Sequence, residues 1–555
     1  MLRATTAPAR WDLEVDVVAV GSGLGAMSCA IAAHDAGASV AILEKAPKLG
    51  GVCAYSGGEV FVGCNHKLAE EGRPDDPAAA KAYLDFLAGG YAEPELARIL
   101  FERGPEVARY LEERAGVRWK IIKDFPDYHY PHAPGTAASG RYLEVELFEG
   151  AQLGPWQKKT YLTPHMPPGI THDELFAWGG LATITKWDFA LMGKRVAKDL
   201  RGMGPGMMGY FVKAAVIDRG VAAHVGTPAR ELVVDGGRVV GVRAERDGAA
   251  FWVRARRGVL LATGGYDWNP RLARQYEQLP EWHSMCQPSV EGDNIVLGGE
   301  VGAALARVPS HNLGMFFGYR IPGEEHDGKP LYRASWEGGY PHAIWVNRAG
   351  QRFADESFYR DYLPKCRSWD GLRQDHPNYP PFLIFDQSYR DKYAFATYMP
   401  GMEVPEEVLA RGATLRELAG KLGVDADGLE ATVARFNRFA VEGADPDFGR
   451  GSYPWAAVMT GDKSRPNPNV GPLDRGPFYG VALVPVGVGV NSVGLDTDAS
   501  ARVRHVRGAP IPGLYACGNA AAALDTGAGY QSGLSNVRGM TWGFIAGEHM
   551  ASGAA

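Results

Sequence analysis

Asp16-Val-Val-Ala-Val-Gly21-Ser-Gly23-Leu-Gly25-Ala26-Met, followed by Ala41-Ile-Leu-Glu44-Lys45, decides how this chain folds. The apolar run from Val15 to Val20 has the length and branched residues of a buried parallel strand. It breaks on glycines, and a helical pattern then runs from about Leu24 to Ala36 and stops at Gly37. A second apolar strand, Ser39 to Leu43, ends on Glu44. Gly21 permits a tight turn, Gly23 lets the backbone approach a pyrophosphate, and Ala26 lets the helix pack closely on the strand. The helix N-terminus then faces the phosphates, and Glu44 accepts hydrogen bonds from a ribose. This order predicts a dinucleotide site. A plain strand-helix turn with a solvated Glu44 would leave the glycine cluster unexplained.

The bulk numbers bound what surrounds that turn. A chain of 555 residues predicts two or more domains. Hydrophobic residues at 46% and charged ones at 22% fit a soluble globular protein. The formal charge of -6 and the lack of a long basic run argue against a nucleic-acid footprint. The 72 glycines belong to no repeat, so many positions need positive φ or close backbone approach. Residues 1–14 carry no apolar core of signal-peptide length and no twin arginine. No stretch reads as a membrane helix; Phe478 to Leu495 is uncharged, but Pro485 and its glycines among valines predict buried strand. The six cysteines form no CxxC pair, which predicts reduced thiols, a cytoplasmic location and no iron–sulfur, zinc or c-type haem site. No histidine or acidic cluster has metal spacing, so no metal is expected.

Outward from the first turn, Gly50-Gly51-Val-Cys-Ala-Tyr-Ser56-Gly57-Gly58 is a glycine loop too long for a minimal NAD site. Amphipathic helices are expected over Pro77 to Ala88 and Pro94 to Arg114, and another over Asp173 to Leu200. Between them Lys123 to Gly154 is polar, aromatic and irregular, as functional loops often are. Strands follow from Ala222, with Asp235-Gly-Gly as a hairpin turn. A further strand reaches Ala262-Thr263-Gly264-Gly265. His342 to Glu356 reads as a hairpin turning at Arg348-Ala-Gly350, and Leu415 to Val441 as helix. Gly513-Leu-Tyr-Ala-Cys517-Gly518-Asn519 is a third strand-to-glycine end, and Leu534 to Met550 a closing helix. A site assembled from both ends of the chain suits an extended FAD. We therefore divide the chain into FAD-binding segments 12–290 and 457–555, with a cap at 291–456.

These residues, with Val346-Asn-Arg-Ala-Gly-Gln-Arg-Phe353, resemble the succinate dehydrogenase/fumarate reductase flavoprotein superfamily from end to end. Within it the chain looks most like the FAD-dependent 3-ketosteroid dehydrogenases, on Asp127-Tyr128-His-Tyr-Pro131, Gly140-Arg141, Gly476-Pro-Phe-Tyr479 and the Gly518-Asn519 ending. The resemblance implies an α/β fold: a Rossmann-like FAD-binding domain of the glutathione-reductase type with an inserted α+β cap. It implies FAD contacts at Gly21, Ser22, Gly23, Leu24, Gly25, Ala26, Glu44, Lys45, Gly50, Gly51, Ser56, Gly57, Gly58, Ala229, Thr263, Gly264, Gly518, Asn519, Ser532, Gly533, Leu534 and Ser535. Where membrane-bound relatives carry a flavin-linking histidine the loop reads Val52-Cys-Ala-Tyr-Ser, so the FAD is expected to be non-covalent. Gly529-Tyr530-Gln531-Ser532 puts tyrosine where dicarboxylate reductases have a proton-donating arginine, and looks closer to ketosteroid 4-dehydrogenases than to 1-dehydrogenases.

Desaturation beside a ketone needs a donor to the carbonyl, a base for the α-proton, and flavin N5 as hydride acceptor. Tyrosine suits the first two roles. The resemblance makes Tyr479 the donor, helped by a backbone N–H near Gly487, and Tyr128 the substrate-side tyrosine, with Tyr130 its rival. It takes the base from a cap tyrosine, read as Tyr319 over Tyr332 and Tyr340, and Tyr530 matters most for 4-desaturation. The expected substrate is a small apolar cyclic ketone such as a 3-ketosteroid, or a simpler cyclohexanone, with an unidentified electron acceptor. The alternatives are a fumarate-reductase-like ene-reductase, in which Arg141, Arg352 and Arg360 clamp a carboxylate, and a flavin-binding protein without catalysis.

Overall fold

In the computed structural model, which describes residues 5–309 and 314–553, the opening apolar run becomes the strand Leu13–Val20 inside an eight-stranded sheet. Val40–Leu43 and Ala249–Leu261 pair with it in parallel, one on each side. Ala222–His224 and Pro510–Ala516 extend the parallel set outward. Val17, Val18 and Ala19 are wholly buried, so this strand carries a continuous apolar run rather than an alternating one. The sheet thus takes strands from both ends of the sequence, and their glycine ends meet at one edge.

Two helices seal one face. Leu24–Asp35 begins directly after the glycine turn and crosses the closing helix Leu534–Ala551. At the crossing a Cβ on Gly543 would lie 2.1 Å from the Gly25 carbonyl oxygen, so the two backbones touch. On the other side, Ala229–Asp235 and Arg238–Arg246 form an antiparallel hairpin on Ala249–Leu261. Its two turn residues, Gly236 and Gly237, take φ of +54° and +79°, the conformation the Asp-Gly-Gly signal predicts.

Several local expectations change. The helix expected over residues 173–200 is broken into His172–Ala177, a 3-10 turn Leu181–Lys186 and Phe189–Ala197, because Gly179 and Gly180 take positive φ between the first two. The helix expected over 415–441 is two, Leu415–Leu422 and Ala426–Ala440, parted at the left-handed Gly423. The hairpin at 342–356 has only one strand, Ala343–Val346, whose partner is Phe382–Phe385. Its turn forms, with the Gly350 N–H bonded to the Asn347 carbonyl, but the chain then enters the helix Tyr359–Cys366.

Two four-stranded sheets lie outside the large one. Met315–His326 pairs with Lys329–Ala334 and with Val484–Gly487, which also pairs with His283–Ser284. Phe382–Phe385 lies between Ala343–Val346 and Phe478–Ala482, which in turn pairs with Ala410–Gly412. No helix among the described residues is long and apolar enough to cross a membrane.

Candidate flavin and substrate site

The glycine turn opens into an elongated cavity. Gly21 has φ +104°, and a Cβ there would lie 2.3 Å from the Ala262 carbonyl oxygen on the next strand. Gly23, by contrast, would point a Cβ into open space, with nothing within 4 Å. Ser22, Leu24, Gly25, Glu44, Lys45, Gly51, Ser56, Gly57, Ala229, Thr263 and Gly264 line the same cavity, as do Gly518, Asn519, Ser532, Gly533 and Ser535. The helices starting at Leu24 and Leu534 both aim their N-termini at it, where first-turn N–H groups favour negative charge. Among the described residues, Thr263 Oγ1 and Gln287 Oε1 are buried on this wall without a hydrogen-bond partner. Unmet polar atoms beside an open glycine cradle fit a polar ligand of dinucleotide length.

Four predicted contacts lie behind the wall. Ala26 and Leu534 are buried in their helices. The Gly50 N–H donates to Ser22 Oγ at 3.1 Å, and Gly58 packs on the Met203 backbone. Glu44 accepts from Ser22 Oγ at 2.6 Å and from the Ala46 N–H at 2.7 Å, and burial raises its carboxyl despite both donors. Two oxygens keep lone pairs enough for a ribose as well. Lys45 Nζ sits 2.8 Å from both Glu291 and Asp293, so its charge is held by acids.

A tyrosine cluster covers the other end. The Tyr359 hydroxyl donates to that of Tyr128 at 2.7 Å, and Ser532 hydrogen-bonds the Tyr128 hydroxyl as well. Burial raises the Tyr128 phenol, which the Ser532 and Tyr359 donors draw back to about 12. Tyr530 faces the same space, half-buried, and its hydroxyl meets no partner among the described residues. Phe316, Trp336, Trp455 and Met459 supply apolar walls.

The loop that carries Tyr128 is tied down by charge. Arg141 bridges Asp127 at 2.8 Å and Asp75 at 2.9 Å. Burial pushes the Asp127 carboxyl up to about 6 in spite of that arginine. Gln531 accepts from the Tyr83 hydroxyl and from the Tyr128 N–H, joining this loop to the closing turn. Deeper, His172 lies 3.0 Å from Glu59 and 3.1 Å from Glu144. Burial would lower its imidazole, but the two carboxylates hold it up to about 10.

The sequence placed two catalytic tyrosines differently. Tyr479 does not reach the cavity: its hydroxyl donates to Gln387 Oε1 at 2.7 Å and its ring stacks on Phe385, because the register of Phe478–Ala482 turns it to that side. Tyr319 lines the cavity, but its hydroxyl donates to the buried Glu337 carboxyl at 2.6 Å rather than to Tyr128. Tyr359, which the sequence reading missed, holds that place. Its signal was the aromatic cluster Phe358-Tyr359-Arg360 at a helix start. Tyr130 and Tyr332 lie off the cavity, whereas Tyr340 lines it. Arg141 and Arg352 are held by carboxylates, the latter by Glu356 and Asp445, which removes two of the three arginines offered as a carboxylate clamp. One metal-like trio occurs among the described residues, His66, Glu70 and Glu112, and Lys67 Nζ supplies its positive charge at 2.9 and 3.0 Å from the two acids.

Glycine strand ends from both halves of the chain, meeting along a cavity capped by tyrosines, define a flavin-dependent oxidoreductase. The FAD binding domain family matches residues 16–535. The chain belongs to that family, as an FAD-dependent oxidoreductase of the ketosteroid-dehydrogenase-like part of the succinate dehydrogenase/fumarate reductase superfamily. It is 37% identical to a 4-oxocyclohexanecarboxylate 2-dehydrogenase of Sinomonas cyclohexanicum, over 97% of this chain and 93% of that one. It is 33% identical to a 3-oxosteroid 1-dehydrogenase of Mycobacterium tuberculosis, over 98% of this chain and 99% of that one. The solved 3-ketosteroid delta1-dehydrogenase of Sterolibacterium denitrificans, in complex with 1,4-androstadiene-3,17-dione, matches with a TM-score of 0.87 at 29% identity, covering 97% and 99% of the two chains.

Proposed function

We propose that this protein introduces a C=C bond beside the carbonyl of a ring ketone, with the Tyr128–Tyr359 pair as base. The observation that carries the reading is the 2.7 Å hydrogen bond between those two hydroxyls over the cavity. A tyrosinate shared across so short a contact belongs to the pair rather than to either ring. It takes the α-proton, while the Tyr530 hydroxyl donates to the ketone oxygen and stabilises the charge that develops there. Bound FAD supplies the two-electron acceptor for the hydrogen leaving the β-carbon. The turn and helix at Ser532–Ser535, whose helix N-terminus favours negative charge, would hold the reduced flavin. No histidine stands in the loop from Gly51 to Tyr55, which favours dissociable FAD.

The FAD-binding part is read as a glutathione-reductase-type Rossmann domain in two segments. Its substrate-side partner extends beyond 291–456, from about 283 to 487, because strands at both ends complete the two outer sheets. For the substrate, the apolar walls and the two named relatives favour a ring ketone, a 3-ketosteroid or a 4-oxocyclohexanecarboxylate. Arg333 favours the second: it lines the cavity and, among the described residues, its guanidinium is paired through Nε alone, with Glu324 at 2.8 Å, which leaves its two other nitrogens for a carboxylate.

Anaerobic mixing of the FAD-loaded protein with each ketone tests this reading. Bleaching of the oxidised flavin band by either ketone is expected. Loss of selectivity for the carboxylated ketone in Arg333→Met would confirm the smaller acid. Bleaching by neither ketone, with reoxidation of the reduced flavin by fumarate, would overturn the reading in favour of an ene-reductase.

A further inference from the structure

A tyrosine pair acting as base in a buried site needs a compensating positive charge, since burial favours the neutral phenol. Arg360 is the second residue of the helix Tyr359–Cys366 and is 6% exposed. Its guanidinium carbon lies 5.2 Å from the centre of the Tyr359 ring and 5.5 Å from that of Tyr530. It hydrogen-bonds Tyr359 and acts through space on Tyr128.

Among the described residues, the titratable groups around Arg360 come from four elements. Tyr128 and His129 belong to the irregular loop, Tyr530 to the closing turn, and Tyr359 and Tyr362 to its own helix. Glu59, from the loop after the second glycine cluster, acts on Tyr128 and Tyr530. Burial and Arg360 together hold His129 down at about 4, so it is neutral at physiological pH. Of these groups only Arg360 is cationic there. An arginine keeps its proton in surroundings that would strip one from lysine, and its plane stacks on aromatic faces.

We propose that Arg360 is the counter-cation of the tyrosine base, stabilising the ionised Tyr128–Tyr359 pair and so setting the pH at which the enzyme takes the α-proton. The inference rests on the pair being the base. In the step it assists, the α-carbon–hydrogen bond breaks, its proton passes to the tyrosinate oxygen, and its electron pair stays with the substrate. Arg360 neither gains nor loses a proton. It is a positioning residue, acting through the rings it stacks on.

Two readouts test it. The first is the tyrosinate difference absorbance, wild type minus Tyr359→Phe, followed against pH without substrate. The second is the pH profile of anaerobic flavin reduction by ketone. In Arg360→Met both curves move to higher pH by about one unit, roughly tenfold less tyrosinate at a given pH. Arg360→Lys, which keeps the charge, recovers most of that shift. Arg360→Gln serves the same purpose if the Met variant does not fold. A uniform loss of rate in Arg360→Met with both curves unmoved would make Arg360 a packing residue and overturn the inference. If the wild type is not reduced by any ketone, the proposed function fails on its own, while the difference titration still judges Arg360.

Discussion

The hydroxyls of Tyr128 and Tyr359 meet at 2.7 Å although the residues are 231 positions apart in sequence. That Tyr128 would face the cavity was legible because it sits in a loop too polar and aromatic to be a mere connection. Tyr359 was not, since a tyrosine opening a helix beside Phe358 reads as core until the fold sets it against a partner. The placement of Tyr479 was out of reach for a related reason: strand register, invisible in one sequence, turns its ring onto Phe385. Tyr359→Phe is expected to slow flavin reduction by ketone about 10²- to 10⁴-fold, the range for loss of a general base. Tyr479→Phe is expected to change that rate by less than about threefold, equivalent to under roughly 0.7 kcal/mol. Stopped-flow absorbance measures both. A large fall in Tyr479→Phe would restore the assignment made from sequence.

Elements beside the first turn followed their sequence closely, because strand, glycine turn and helix are set by local sterics and period. The same logic failed where partners are distant. The turn at Asn347–Gly350 formed, yet its strand paired with Phe382–Phe385, which the hairpin pattern could not name. The contact between the helices Leu24–Asp35 and Leu534–Ala551 was also out of reach, though glycines lie on both. It carries its own prediction. Gly543→Ala places a methyl against the Gly25 carbonyl and is expected to destabilise the fold by about 1–3 kcal/mol, as overpacking does. A fall in the denaturation midpoint with unchanged m-value would show it. Because Gly25 lies in the first turn of the helix that faces the cavity, FAD should also dissociate more readily, as seen by ultrafiltration.

Over the whole molecule, charge buried beneath the site links stability to pH. His172 is held up to about 10 when folded, against about 6.5 for a free imidazole. A raised folded pKa means its stabilisation is complete below about pH 6.5 and lost as pH climbs toward 10. The apoprotein's melting temperature is therefore expected to decline across that window. His172→Gln should flatten that decline, and it should cost about 3–5 kcal/mol at neutral pH by leaving Glu59 without its cation and Glu144 with Lys120 alone. An unchanged slope would mean other groups govern it. Added FAD should raise the melting temperature in a concentration-dependent way, because it binds only the folded chain. The parallel sheet built from both ends of the chain was legible as three strand-to-glycine ends. The two outer four-stranded sheets were not, because each is completed by strands far apart in sequence.

The measurement that tests the central claim most directly is anaerobic flavin reduction by a ring ketone deuterated at its α-carbons, run with wild type and Tyr359→Phe. If the tyrosine pair removes the α-proton, the wild type bleaches and deuteration slows it, while Tyr359→Phe bleaches orders of magnitude more slowly. Bleaching at one rate in both proteins, indifferent to deuterium, would contradict the account.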